Sequence, residues 1–285
     1  MPPTPIGRIW LGLAVTIVVA AVAPSSSGAA EPPAELPREV LFDPLLADPR
    51  WPHFSAAWHQ YGGDDRLDNV GAVSLGEDFS FYQEPLAGGR WGFGFQAGVF
   101  SIFDLDADSR DLVNADYWVG IPVAWKRGPW QALARLYHQS SHLGDEYLLR
   151  TRPQRINLSY EAADLRVSRH LMGETLRLYG GGGFLISRIP QELKRWSVQA
   201  GAEIRWPETF AGGLLRPVAA LDLQSIEEAD WAVDTSIRAG VMIESPEDRD
   251  YAILVALEYF QGRNPNGQFY GTRVDYYGVG IHVYF

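Results

Sequence analysis

The sequence predicts an all-β fold, a single antiparallel transmembrane β-barrel of about twelve strands. Three observations favour this fold class. Apolar and polar residues alternate with a period of two along most of the chain, as in strands with one apolar and one wet face. Aromatic residues stand at both ends of several apolar rows. The chain is 46% hydrophobic and 13% aromatic, yet its apolar residues beyond the first segment are spread by alternation instead of collected into helical blocks.

Residues 1–30 predict a cleaved signal peptide. Arg8 gives a positive start, Ile9 to Ala23 form an apolar run, and small residues precede cleavage after Ala30. A retained membrane anchor is the alternative, but a run of about 15 residues is short of the roughly 20 that a spanning helix needs. The chain has no cysteine, which excludes a lipoprotein, disulfides and thiolate metal sites.

Residues 31–52 are rich in proline and acidic groups and predict a periplasmic lead-in without regular structure, and residues 53–285 predict the barrel. The alternating segments lie near 53–61, 69–83, 90–103, 116–127, 130–141, 155–168, 175–188, 195–206, 215–224, 231–244, 251–261 and 274–285. In one of the clearest, Trp196, Val198, Ala200, Ala202, Ile204 and Trp206 oppose Arg195, Gln199, Glu203 and Arg205. So many charges on one face indicate that this face meets water.

A soluble β-sandwich is the alternative to a barrel, since its strands also alternate. Tyr251 and Tyr259 bracket an apolar row, as the aromatic girdles of a membrane barrel would. Such rows of about 10 residues, tilted by some 40°, span about 25 Å, the apolar height of an outer-membrane barrel. An even strand number places both termini in the periplasm and the longest connections, 104–115, 142–154 and 262–273, outside.

The last strand alternates from Tyr277 and ends on the aromatic Phe285. It resembles the closing strand of bacterial outer-membrane barrels. That resemblance implies recognition by the barrel-assembly machinery and a location in the outer membrane of a Gram-negative envelope. The formal charge of −11 argues against nucleic acid as a partner. Outer-membrane lipids and lipopolysaccharide, bridged by divalent cations, are the expected surroundings.

The fifth segment holds the best candidate for chemistry. By parity Trp130, His138 and Ser140 share its lipid-facing row, and Ser140 lies about 25 Å above Trp130, near the layer of acyl esters. A serine beside a histidine is the minimum for an activated hydroxyl nucleophile. The alternative is that a histidine and a serine at a strand tip simply lie among lipid headgroups, where polar residues cost only about 0–1 kcal/mol.

This His-x-Ser pair is similar to that of outer-membrane phospholipase A, also a twelve-stranded barrel, and of the lipid A 3-O-deacylase barrels. The resemblance implies His138 as base and Ser140 as nucleophile, with Asn157 or Glu161 on the next strand orienting the histidine. Those families follow the serine with Asn-Gly, whereas this chain has Ser-His. Parity also predicts that Asn157 and Glu161 face the lumen, because Ile156, Leu158 and Tyr160 take the lipid face.

Two longer stretches, Leu41–Ser55 and Tyr137–Tyr147, look like a family of outer-membrane barrels described as a domain of unknown function. This likeness covers essentially the whole mature chain. It implies the fold and the location, and it implies no activity.

Calcium or magnesium is the only cofactor that the sequence suggests. Asp104, Asp106 and Asp108 have the odd spacing of a calcium loop, but Ser109 and Ala115 at its sixth and twelfth positions exclude an EF-hand. A looser site and a solvated acidic loop are both open. Asp145 and Glu146, together with His138 and His142, form a second possible group of metal ligands.

The lumenal parity collects charges of both signs: Arg135, Arg155, Glu161, Arg177, Arg195, Glu203, Arg205, Asp222, Arg238 and Glu258. This mixture favours a network of ion pairs that fills the lumen. The glycines at 180–183 are not a phosphate-binding loop, because no Lys-Ser/Thr follows them and strand residues flank them. The favoured function is a structural barrel with a filled or narrow lumen; a lipid acyl-ester hydrolase and a narrow solute channel are the alternatives.

Overall fold

The computed structural model describes residues 40–63, 66–244 and 251–285. Over these residues the chain forms a closed antiparallel barrel of twelve strands, which confirms the predicted fold class. The strands are Phe54–Gly62 (β1), Asn69–Leu86 (β2), Gly89–Asp104 (β3), Leu112–Arg127 (β4), Trp130–Leu143 (β5), Leu158–Leu171 (β6), Leu176–Ile189 (β7), Trp196–Arg205 (β8), Leu215–Ile226 (β9), Val233–Glu244 (β10), Ala252–Arg263 (β11) and Arg273–Tyr284 (β12). The predicted signal peptide, residues 1–30, lies outside the described residues.

Each strand pairs with its neighbours in sequence, and β1 closes the ring against β12. Outside the strands, the described residues form one α-helix, Asp145–Thr151 (α1), and three short 3-10 helices, Ala211–Gly213, Glu227–Ala229 and Gly267–Phe269. Among the described residues, no helix is long and apolar enough to cross a membrane.

The strands have one apolar outer face and one polar lumenal face. On β8, Trp196 and Val198 are exposed on the outside, whereas Gln199 and Glu203 are buried in the lumen. An exposed apolar wall is unstable in water but suits a bilayer, where it removes apolar surface from water. The alternation read from the sequence therefore corresponds to the two faces of the barrel wall.

The two ends of the barrel differ in the length of their connections. One end has the two-residue turns 87–88 and 128–129, and we call it the turn end. In the first turn Ala87 and Gly88 both have positive φ, 51° and 74°, as the tight turns that match strand twist require. The other end, the long-loop end, has the connections 105–111, 144–157 and 264–272.

Residues 40–53, the lumenal segment, lie inside the barrel without regular secondary structure. Leu45, Ala47 and Trp51 are at most 2% exposed. The predicted periplasmic lead-in is corrected here for its described part, residues 40–52, which occupies the lumen; residues 31–39 lie outside the described residues. The physical reason is space, because twelve strands enclose more volume than their own lumenal side chains can fill.

Buried polar side chains of the wall hold this segment in place. Arg177 of β7 donates hydrogen bonds to the backbone carbonyls of Asp43 and Pro44, at 2.8 and 2.9 Å. Arg238 of β10 donates to the carbonyl of Leu46 at 2.7 Å. Further contacts join Leu46 N to Glu203 (2.7 Å), Gln199 to Asp48 (3.1 Å), Arg50 to Asp116 (2.8 Å) and His53 to His282 (2.8 Å). These bonds satisfy backbone groups that would otherwise be buried without partners.

The lumen near the long-loop end contains an apolar cluster. A buried cluster there combines Tyr61, Leu67, Val70, Ile102, Val113, Tyr147, Phe260, Phe269, Val274 and Tyr276. It packs the connection 264–272 and α1 against the tops of the strands. Apolar residues of this cluster therefore point into the lumen, whereas across the membrane apolar residues of the strands face the lipid.

Candidate active site on the outer wall

A row of polar side chains crosses the outer wall from β5 to β7. His138 lies in register with Glu161 of β6, and Glu161 lies in register with Ser187 of β7. His138 Nδ1 is 3.0 Å from Glu161 Oε1, and the Ser187 hydroxyl donates to Glu161 Oε2. Since a carboxylate only accepts hydrogen bonds, the proton of a neutral His138 is on Nδ1. His138 Nε2 is thereby left as the basic nitrogen.

Ser140 lies two residues beyond His138 on the same outer row of β5. Its neighbour in register on β6 is Ser159. In the part of the chain that the structure describes, no side chain hydrogen-bonds Ser140 Oγ or His138 Nε2. The order Ser140, His138, Glu161 is that of a nucleophile, a base and the carboxylate that orients the base.

A β-bulge completes this arrangement. The register of β7 against β6 shifts between Glu161 and Ala162, where Ser187 and Leu185 are the partners and Ile186 is the extra residue. The extra residue changes the parity of β7, so that Ser187 points outward beside Glu161 although Leu185 points inward. Ser187 was not identified from the sequence, because regular alternation gives no sign of a bulge. Ser159 was missed because parity placed it, like Glu161, on the lumenal face of β6.

The predicted lumenal orientation of Glu161 is corrected by the structure. Outer residues of β6 are the odd-numbered ones, with Leu165 exposed and Asp164 and Arg166 buried in the lumen. Leu158 and Tyr160 face the lumen, where aromatic side chains near the long-loop end surround them. Asn157 is exposed in the connection just before β6, two residues beyond Ser159, and it does not contact His138.

An apolar groove of about 410 Å³ lies on the outer wall beside His138. Its lining includes Phe54, Leu75, Ala97, Val99, Tyr117 and Val119, from β1 to β4, and it reaches β5 at His138. Both His138 and Glu161 are accessible from the outside, with 40% and 51% of their side chains exposed. A hydrocarbon chain in the groove would meet the histidine at its end.

The predicted metal ligands lie at the long-loop end, and two of them, Asp104 and Asp106, bind other side chains. Arg150 of α1 binds Asp104 at 2.5 Å and Asp111 at 2.8 Å. Asp106 accepts hydrogen bonds from the backbone and side-chain nitrogens of Asn69, at 2.9 and 3.0 Å.

Asp108, Asp145 and Glu146 are exposed, the last two in the first turn of α1. In the described ranges no three His, Cys, Asp or Glu side chains are grouped so that they could hold a metal. The calcium or magnesium site stays a prediction.

The predicted lumenal charges divide into two groups. Arg135, Arg177, Glu203, Asp222, Arg238 and Glu258 are buried in the lumen. Arg135 pairs with Asp164 at 2.6 Å, and Arg238 with Glu258 at 2.5 Å. Arg155 is exposed in the connection before β6, and Arg205 pairs with Glu244 at 3.2 Å, partly exposed. Ion pairs and the lumenal segment therefore occupy the middle of the lumen.

Comparison with known proteins identifies the family. A family model described as protein of unknown function (DUF1207) matches residues 16–285. The chain belongs to this family. The DUF1207 match confirms the family that the two longer sequence stretches indicated. A search of curated proteins gives no match.

Solved structures similar to this barrel include outer membrane phospholipases. Outer membrane phospholipase A from Escherichia coli superposes with a TM-score of 0.57 at 10% identity, covering 86% of this chain and 94% of that chain. The Salmonella typhi outer membrane phospholipase, solved as a dimer with bound calcium, gives 0.57 at 9% identity, covering 81% and 90%. At these identities the likeness shows a shared barrel fold of the outer-membrane type.

Proposed function

We propose that this barrel resides in the bacterial outer membrane and hydrolyses acyl-ester bonds of lipids in the outer leaflet. The observation that carries the proposal is the Ser140–His138–Glu161 row on the apolar outer wall, with His138 oriented by Glu161 at 3.0 Å. The lumenal segment occupies the middle of the lumen, which argues against a solute channel. A purely structural barrel would not need a nucleophile, a base and an orienting carboxylate on its lipid-facing surface.

The height of the row fits an ester substrate. Trp130 and Ser140 lie on the same outer face of β5, and Trp130 is next to the turn end. Ten residues of tilted strand rise about 25 Å, so that with Trp130 at the inner interface Ser140 reaches the outer one. Phospholipid and lipid A acyl esters lie at this depth. The groove beside His138 would hold the acyl chain.

The reaction follows from the positions of the groups. His138 Nε2 takes the proton of Ser140 Oγ as this oxygen attacks the acyl carbonyl carbon, and Glu161 stabilises the imidazolium that forms. Collapse of the tetrahedral intermediate expels the lipid alcohol, which takes the proton from His138 and leaves an acyl-serine. Water, deprotonated by His138, then releases the fatty acid and regenerates Ser140.

The intermediate also needs donors for its oxyanion. Ser159, opposite Ser140 on the same face, supplies a hydroxyl at the right end of the site. The backbone N–H of Ser141 is a weaker candidate, because Ser141 is paired within the sheet on both sides. A calcium ion near Asp145 and Glu146 would add positive charge at the same end of β5.

The test is acyl release by the purified barrel in mixed micelles. Labelled phospholipid and lipid A are offered with and without calcium, and products are identified by mass spectrometry. We expect the wild type to release fatty acid and Ser140→Ala and His138→Ala to abolish it, with heat-modifiable gel mobility unchanged in both variants.

Two variants serve as matched controls. Ser101→Ala removes an outward hydroxyl from β3, and Leu136→Ala truncates an exposed side chain of the outer row of β5 outside the groove; both should retain activity. Release that is absent from the wild type under all conditions, or unchanged in Ser140→Ala, would refute the hydrolase and leave a structural barrel.

A further inference from the structure

The lumen contains a cavity of about 220 Å³ between the lumenal segment and the long-loop end. Asp48, Pro49 and Arg50 form its floor. Residues of the connections 190–195 and 264–272 line its upper part, so the cavity faces the long-loop end. It lies on the opposite side of the wall from His138 and Ser140. An inference about this cavity is therefore independent of the hydrolase.

One wall of the cavity is an aromatic stack. The rings of Trp118 and Tyr137 are stacked at 5.0 Å between centroids, and Tyr137 meets Tyr160 edge to face at 6.3 Å. The hydroxyls of Tyr137 and Tyr160 make no hydrogen bond to another described residue. Such a wall offers an apolar surface to the C–H face of a ring and hydroxyls to its polar edge.

Arg263, at the end of β11, lines the same cavity and differs from the other cationic groups around it. Among the described residues its guanidinium has no hydrogen bond and no ion pair, and Nε is buried. Its neighbour Asn264 is 2% exposed, with a buried Nδ2 that also lacks a partner. Asp234 lies nearby and attracts the guanidinium, but its Oδ1 accepts a hydrogen bond only from the backbone N–H of Arg263, at 2.6 Å, and forms no ion pair with the side chain.

The other cations of the lining are engaged within the described chain. Arg50 binds Asp116, Arg135 binds Asp164, Arg166 binds Gln199, Lys194 binds Asp230, and Arg195 binds the carbonyls of Leu185 and Ile186. Arg263 is partly buried, and a cation with a buried nitrogen and no partner costs free energy unless an anion joins it. Arg263 and Asn264 thus form a donor pair aimed at a ligand that the chain does not itself supply.

We propose that this cavity binds a sugar that carries an oxyanion, with Arg263 and Asn264 holding the carboxylate or phosphate and the Tyr137–Tyr160 wall packing against the ring. A guanidinium binds both oxyanions through two parallel hydrogen bonds. A volume of about 220 Å³ lies below the roughly 300–1,000 Å³ typical of drug-sized ligands, which favours a monosaccharide. A free sugar acid or sugar phosphate and a phosphorylated core sugar of lipopolysaccharide share this chemistry.

Calorimetric titration of the full barrel, in a detergent without a sugar headgroup, tests the proposal. Glucuronate and glucose 6-phosphate should bind saturably at one site, and glucose and inorganic phosphate at least tenfold more weakly, because each lacks half of the recognition. Arg263→Gln removes no ion pair of the folded protein and should weaken both anionic sugars about tenfold or more. Tyr160→Ala should weaken the anionic sugars and glucose alike.

Arg273→Gln is the matched control, because Arg273 lies opposite Arg263 in register but does not line the cavity; 57% of its side chain is exposed, and its contact with Asp234 is long, at 3.9 Å. It should bind as the wild type does, and so should Ser140→Ala. Competition by phosphorylated core oligosaccharide, and not by its dephosphorylated form, would assign the ligand to lipopolysaccharide; its failure to compete would assign a free solute. No saturable binding, equal losses in Arg263→Gln and Arg273→Gln, or phosphate binding as tightly as glucose 6-phosphate would overturn the proposal.

Discussion

At the scale of single residues, Glu161 is the residue whose orientation decides the candidate site. It accepts from both His138 and Ser187, so it fixes the imidazole and is itself fixed. We expect Glu161→Gln to lower kcat for acyl release by about 10²-fold, since the amide cannot stabilise the imidazolium as a carboxylate does. Ser187→Ala should cost about tenfold or less, the worth of one hydrogen bond.

Initial rates measured between pH 5 and 9 check this prediction. Leu136→Ala is the control, because it changes the same strand face without touching Glu161. Equal rates for Glu161→Gln and the wild type would show that the carboxylate has no part in the reaction.

Inside the barrel, Arg177 is the residue that we expect to matter most for stability. It binds Glu203 at 3.1 Å and donates to two carbonyls of the lumenal segment, and it is 3% exposed. Arg177→Ala leaves Glu203 buried without its cation and should lower the free energy of unfolding by about 3–5 kcal/mol. Urea unfolding in lipid vesicles measures this loss. Exposed Arg273→Ala should stay within about 0.5 kcal/mol of wild type, and equal midpoints for the two variants would contradict the prediction.

The sequence predicted the outer row of β5 correctly and the face of Glu161 incorrectly, and the same rule led to both predictions. Parity was read on the rule that apolar residues face lipid, which holds across the membrane. Near the long-loop end part of the lumen is itself lined by apolar side chains, and Leu158 and Tyr160 point inward. Only long-range packing, which alternation does not encode, distinguishes the two cases.

At the scale of elements, all twelve strands were predictable because apolar and polar residues alternate along each of them. Their ends moved by a few residues, as at β4, which starts at Leu112 instead of 116. Helix α1 was not predicted: its seven residues are too short for a helical period to stand out.

Helix α1 is tied to the connection 105–111 by Arg150, and this contact depends on pH. Hydrogen bonds from Ser109 and Arg150 lower the pKa of Asp111, and Asp104 and Asp111 raise the pKa of Arg150. A carboxyl with a lowered pKa stabilises the fold above its unfolded pKa of about 3.9 and loses this contribution as the pH falls through the lower folded value. The contact should therefore persist at pH 5–8 and loosen below about pH 4.

Hydrogen exchange of residues 105–111 and α1, corrected for the intrinsic pH dependence, measures this effect. Arg150→Ala should raise exchange at neutral pH and remove most of the acid response. Equal protection at pH 3 and pH 7 in the wild type would contradict the assignment.

The closing strand gives a prediction about assembly. Phe285 is exposed, and its ring meets Phe54 of β1 edge to face at 5.7 Å. Removing Phe285 takes away the aromatic end by which the assembly machinery is expected to recognise the chain. Heat-modifiable barrel in membranes should fall far more than total synthesis, whereas Leu257→Ala, an exposed change on β11, should leave assembly intact.

At the scale of the whole molecule, the lumenal segment separates a closed barrel from a channel. Deleting residues 41–51 removes the groups that Arg177, Arg238 and Gln199 bind and empties the middle of the lumen. Planar bilayers with inserted wild type should be silent, and the deletion should give discrete conductance steps. Comparable steps from the wild type would show that the lumen is open after all.

The filled lumen was predictable in kind but not in detail. The mixed charges of the lumenal parity indicated ion pairs, and several of those pairs formed. That Leu45 and Trp51 would enter the barrel was not predictable, because a short apolar stretch without periodicity carries no signal of where it packs.

The path of the lumenal segment has a mechanical consequence. It enters at the turn end, where Val40 and Phe42 lie beside Tyr284 and Phe285, reverses at Asp48–Arg50, and returns to the turn end at β1. The segment thus enters and leaves the barrel at the same end, so it forms a loop that does not thread through the ring of strands. Tension on the chain preceding residue 40 would extract this loop without breaking a backbone hydrogen bond between strands. On release the loop would dock again into an intact barrel.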